Sequence, residues 1–137
     1  MDKNGIEYKS LIKTNFEKVK KSLILQNYHY ATDYLIDCME NILGLYAVNK
    51  KDRNLEGMTM LEIVRMKPYE RPFFVDSELF KRIEEMLTSK DNAKKTKEDF
   101  EVIFSFLISV KTQSETDGFS FEITDIELLE IRNMLDD

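Results

Sequence analysis

The chain has 137 residues, 42% hydrophobic and 34% charged, with a formal net charge of −6. That is the size of a single domain whose core stands without disulfide or metal staples, and the acidic balance argues against holding nucleic acid by bulk electrostatics. Four glycines and two prolines are too few for a turn-rich β-sandwich or barrel, and one cysteine excludes an internal disulfide, so a reducing, cytoplasmic setting is expected.

The opening residues MDKNGIEYKSLIK lack the uninterrupted apolar run of a signal peptide, and no stretch approaches the roughly 18 apolar residues of a membrane span. The first predicted helix covers 6–25. Leu11, Ile12, Phe16, Val19 and Leu23 recur at helical spacing among lysines 9, 13, 18, 20 and 21, and Asn27 is expected to end it.

Residues 29–46 form a second, long amphipathic helix with a broad dry face: Ala31, Tyr34, Leu35, Cys38, Met39, Ile42, Leu43, Leu45 and Tyr46. Cys38 lies at the centre of that face and reads as a small hydrophobe. The opposite stripe carries His29, Asp33, Asp37 and Glu40, with Gly44 in line. One imidazole and three carboxylates are metal-ligand types, but the stripe runs about 16 Å along the axis, too far for one ion. No Glu-x-x-His pair and no Cys/His set accompanies it. A solvated helix face is the expectation, with no metal site.

A polar loop over 49–57 precedes a short helix opened by Thr59, with Met60, Ile63 and Val64 inward. "KPYERPFF" then holds both prolines and reads as an extended connection. Asp76 or Ser77 caps a helix over 78–88, which buries Leu79, Phe80, Ile83 and Leu87. A second polar loop, "SKDNAKKTK", leads to Thr96-Lys97-Glu98-Asp99, a capping box with Asp in place of Glu. The next helix is apolar round nearly its whole circumference (Phe100, Val102, Ile103, Phe104, Phe106, Leu107, Ile108, Val110) and must be central or sealed by a partner. "GFSFEI", 118–123, alternates like a strand but stands alone, so it lies across the bundle as an extended arm or pairs with its symmetry mate. Thr124 to Glu127 is another capping box, opening a last helix through Leu128, Leu129, Ile131 and Leu135.

The fold expected is all-α: an antiparallel bundle of five to six helices in one domain, 1–137, with a core of about 6–115, an extension over 116–137 and a short extended segment near 118–123. Catalytic devices are hard to assemble. No glycine-rich phosphate loop is present, and a nucleophile paired with His29 would have to come from a different face than that of Cys38. No cofactor is implied. Two sets of residues suggest contacts instead. Lys90, Lys94, Lys95 and Lys97 could meet phosphate. Tyr69, Arg71, Phe73 and Phe74 offer rings and a guanidinium for stacking on a partner or on bases, against the plainer reading of a connector that plugs the bundle with two phenylalanines. Phe119, Phe121 and Ile123 would form a sticky edge if exposed.

The order of a first helix, "NYHYATDYLIDCMENILGLYAVNKK", a loop, "GMTMLEIVRM", "DSELFKRIEEML" and "TKEDFEVIFSFLISV" resembles the HEPN-type helical bundles of bacteria and archaea over about residues 8 to 112. The ribonuclease members of that family carry Arg-x(4–6)-His near the start of the last core helix. The corresponding stretch, "SKDNAKKTKEDF", has neither residue, and no arginine stands four to six residues before His29. The resemblance therefore implies a non-nuclease member, a partner or regulatory subunit in a toxin–antitoxin or defence-type system, some such members acting beside small nucleotidyltransferases. It brings no catalytic residue. The reading is of a non-enzymatic interaction module with a protein partner, its own copy included. RNA binding through the basic loop is the alternative, and no membrane is involved.

Overall fold

The structure, a computed structural model, describes residues 4–50, 55–71, 73, 76–89 and 94–136. Among them are six α-helices and no strand: α1 (Gly5–Ile24), α2 (Tyr28–Lys50), α3 (Met60–Val64), α4 (Ser77–Thr88), α5 (Lys97–Asp117) and α6 (Asp125–Asp136). None is long and apolar enough to cross a membrane.

Local chemistry sets the helix ends. Asn4, Thr59, Asp76 and Thr96 each accept a backbone N–H of the first turn. Reciprocal capping boxes close at Thr59–Glu62, Thr96–Asp99 and Thr124–Glu127. Asn27 opens α2, where it was expected to end α1: its side-chain oxygen accepts from the Tyr30 N–H. The chain leaves α1 through Gln26, at φ 55°, while the Asn27 N–H reaches back to the Ser22 carbonyl. Gly118, at φ 73°, ends α5 in the same way, with the Phe119 N–H on the Ser114 carbonyl. Glycine meets no steric penalty there; glutamine does.

Pairs of residues fix the packing. Gly44 against Tyr8, Cys38 against Ile12 and Tyr34 against Lys18 make α2 antiparallel to α1. Gly44 is buried at this crossing, where any side chain would collide with the Tyr8 ring, so the end of the polar stripe is dry. His29 meets Lys95 at one end and Tyr46 meets Phe119 at the other, so α5 runs parallel to α2. Lys111 with Asp125 and Arg132 over Phe104 lay α6 antiparallel along α5, and Lys20 with Glu127 ties it to α1.

The central helix is α5: Phe100, Val102, Ile103, Phe104, Phe106, Leu107 and Val110 are all buried within the chain. The segment 118–123 forms no strand. Its alternation survives as an arm laid across the bundle, with Phe119, Phe121 and Ile123 buried and Ser120 and Glu122 outward. The three apolar groups named as a sticky edge are therefore part of the core. On α6, Leu128, Ile131 and Leu135 are buried and Leu129 is exposed.

Candidate functional site

A cleft of about 780 Å³ opens where the start of α2, the last turns of α4 and the start of α5 meet. Its walls include His29, Arg82, Glu85, Met86, Lys94, Lys95, Thr96 and Asp99. Residues 94–96 form one edge, and α2 holds them there. The Lys95 N–H donates to His29 Nδ1 at 3.0 Å, and Lys95 Nζ lies 2.8 Å from Asp33 Oδ1. The second Asp33 oxygen is 3.6 Å from His29 Nε2. One residue of the loop is thus clipped at its backbone and at its tip. The cap of α5 follows at once, with the Thr96 N–H on Asp99 Oδ2 at 2.8 Å.

The polar stripe of α2 is therefore not a plain solvated face. His29 and Asp33 dock the 94–96 segment. Glu40, half-buried, accepts the Met60 N–H at 2.7 Å and so adds a carboxylate to the start of α3. Burial pushes the Glu40 carboxyl above its ordinary pKa, the Met60 bond opposes that, and Asp37 and Glu62 add to it. Asp37 is also raised, first by desolvation and then by Asp33, with Lys18 acting against both. The residues at 29, 33, 37 and 40 do different work at different points along the helix. Among the described residues no three His, Cys, Asp or Glu side chains converge as metal ligands would.

Cys38 is fully buried on the other face, its Sγ 3.6 Å from the Ile12 carbonyl, and burial pushes its thiol up to about 12. A thiol held protonated is a poor nucleophile.

The other residues singled out by sequence divide sharply. Arg71 turns inward: Nε donates to the Met66 carbonyl at 3.1 Å, Nη2 to the Val64 carbonyl at 3.3 Å, and its guanidinium lies 4.2 Å from the centre of the Phe80 ring. It closes the C-terminal end of α3. Phe73 is buried against Tyr46, ring centres 4.8 Å apart. Of the described members of that group only Tyr69 is outward, 78% exposed. Phe74 lies outside the described residues, as does Lys90. Lys94 is exposed, Lys97 is partly exposed, and Lys95 is committed to Asp33. The three described lysines of that run therefore differ in exposure and in partner. Arg82, Glu85 and Met86 complete the cleft without any warning from the sequence, since nothing local relates the end of α4 to a histidine more than fifty positions away.

Comparison of the chain with family models, with curated proteins and with solved structures finds no match.

Proposed function

We propose that the chain is a non-catalytic protein-interaction module whose first partner is a second copy of itself. One observation carries this reading. Four large apolar side chains stand in solvent on the two helices that the Lys20–Glu127 ion pair joins: Ile24 and Leu25 at the end of α1, 69% and 77% exposed, and Ile126 and Leu129 on α6, 72% and 58% exposed. Exposed apolar surface on adjoining helices supports an association face.

The flanking charges favour self-pairing. The α1 side carries Lys9, Lys13, Lys18, Lys20 and Lys21 against Glu7 and Glu17, while α6 carries Asp125, Glu127, Glu130 and Asp136 against Arg132. A two-fold axis through this seam sets the basic helix of one copy against the acidic helix of the other. The apolar groups then meet between two complementary rims.

The HEPN-type resemblance, in its non-nuclease form, supports the same class: a partner or regulatory subunit in a toxin–antitoxin or defence-type system. The buried, free Cys38 thiol suits a reducing, cytoplasmic compartment. Light scattering on the eluting protein is the test. The expected mass is twice the 16.2 kDa of one chain, falling to one chain in Ile126→Lys/Leu129→Lys with the melting temperature kept. A wild-type mass of one chain at about 100 μM would rule out self-association at the micromolar strength of ordinary interfaces.

A second reading, RNA binding, draws on Arg82 and Lys94, which line the cleft and pair with no carboxylate among the described residues. Salt-dependent RNA binding lost in Lys94→Ala/Arg82→Ala would favour it.

A further inference from the structure

We infer that His29 is an acid-sensitive catch on the 94–96 edge of the α2–α4–α5 cleft: neutral imidazole holds the edge shut, and protonation releases it.

The geometry dictates the sign. The Lys95 N–H points at His29 Nδ1 from 3.0 Å, so that nitrogen must offer a lone pair and the ring proton must sit on Nε2. An imidazolium carries protons on both nitrogens. An N–H would then face an N–H across the same 3.0 Å, and the bond is replaced by a repulsion.

The neighbouring charges do not restore that bond. Among the described residues Asp33 faces the imidazole, its Oδ2 3.6 Å from Nε2, while its Oδ1 holds Lys95 Nζ at 2.8 Å. An imidazolium keeps the Nε2 contact with Oδ2, so the tip of Lys95 stays on Asp33 while its backbone N–H loses its acceptor. Among the described residues, the other charged groups around the cleft are Arg82 and Glu85 from α4, Lys94 from the edge itself, and Asp99 from α5. Asp99 is occupied by the Thr96 N–H at 2.8 Å. Of these described groups, Arg82, Lys94 and Lys95 stand against Asp33, Glu85 and Asp99, and Asp33 and Asp99 are already engaged. The remaining ring contact, the Tyr30 edge with centroids 5.7 Å apart, carries no charge.

The test follows the Lys95 backbone amide by NMR on the isotope-labelled full chain from about pH 8 to 5. At the alkaline end the imidazole nitrogen shifts should identify the Nε2-protonated tautomer. As the pH falls, the Lys95 amide resonance should move with the same midpoint as the His29 ring proton. Its hydrogen exchange, corrected for the intrinsic pH dependence, should quicken roughly tenfold, the scale of one lost hydrogen bond. In His29→Gln, whose amide oxygen accepts at any pH, the Lys95 resonance should stay flat across the range. In Asp33→Asn it should still follow the imidazole. An Nδ1-protonated tautomer at high pH, a Lys95 amide indifferent to His29 titration, or loss of the titration in Asp33→Asn would each overturn the catch.

Discussion

Two connectors cross this bundle, and they are held in different ways. The first, the described residues between Leu55 and Asp76 around α3, buries Leu55, Met60, Ile63, Val64 and Phe73 and adds charged side chains that reach the backbone: Glu40 accepts the Met60 N–H, and Arg71 donates to the carbonyls of Val64 and Met66. The second, from Gly118 to Thr124, is held chiefly by burying Phe119, Phe121 and Ile123. The recorded ion pair of its turn, Lys9 with Glu122 at 3.7 Å, is exposed and contributes little. Both press an aromatic ring onto Tyr46, Phe73 at 4.8 Å and Phe119 at 5.3 Å between centres. The difference teaches that a connector can add ties to a helix's orphan backbone groups to the surface it donates to the core, or rely chiefly on that surface. Each route leaves a different sensitivity.

The largest break should come from removing the second connector. Deleting residues 117–137 strips three buried side chains and α6 from the central helix α5, so circular dichroism should report an unfolded or aggregated chain. A truncated protein that keeps a cooperative melt would mean that the arm is an accessory to a core complete without it.

Next is Phe121→Ala, expected to lower stability by about 3–5 kcal/mol through lost burial and an unfilled cavity, read by urea unfolding. Salt should leave that loss unchanged.

Arg71→Ala tests the first connector. It leaves two carbonyls at the end of α3 without their donor and uncovers the Phe80 ring, and should cost about 1–3 kcal/mol. Tyr69→Ala, in the same segment but outward, should stay within about 0.5 kcal/mol. If the two variants behave alike, Arg71 is not the tie that the geometry makes it.

The smallest effect concerns pH. The Glu40 carboxyl has a raised pKa in the folded chain because burial disfavours its charge. The native state therefore binds that proton more tightly than the unfolded chain does. The group's stabilising share is complete below the unfolded pKa and is lost as pH rises through the folded one. Glu40→Gln keeps an acceptor for Met60 without the charge. Its melting temperature should equal or exceed that of the wild type at pH 7, and the gap should close as the pH falls through the carboxylate range. A variant clearly less stable at pH 7 would mean that the charged hydrogen bond outweighs desolvation.

Much of the architecture was written locally. The capping boxes at Thr96 and Thr124, the cap at Asp76, the dry face of α2 around Cys38 and the all-round apolar surface of α5 depend on residues within a turn or two of each other, so helical period and side-chain chemistry suffice to read them. The alternation of Phe119, Phe121 and Ile123 was equally legible, and it correctly gave one inward face. Whether that face would meet a strand, a second copy or the bundle depended on groups far away, above all Tyr46. The same limit applied to the site. Sequence placed His29 and Asp33 on one stripe and Lys95 in a polar loop, but the bonds between them span sixty residues and more. A solvated carboxylate and a docking carboxylate have the same one-letter code. Only the tertiary structure brings α4 and α5 to the start of α2 and gives the Lys95 backbone N–H to a histidine that the helix alone would leave in water. Burial and partnership are properties of the packed chain, fixed when distant segments compete for the same backbone donors and the same apolar surface.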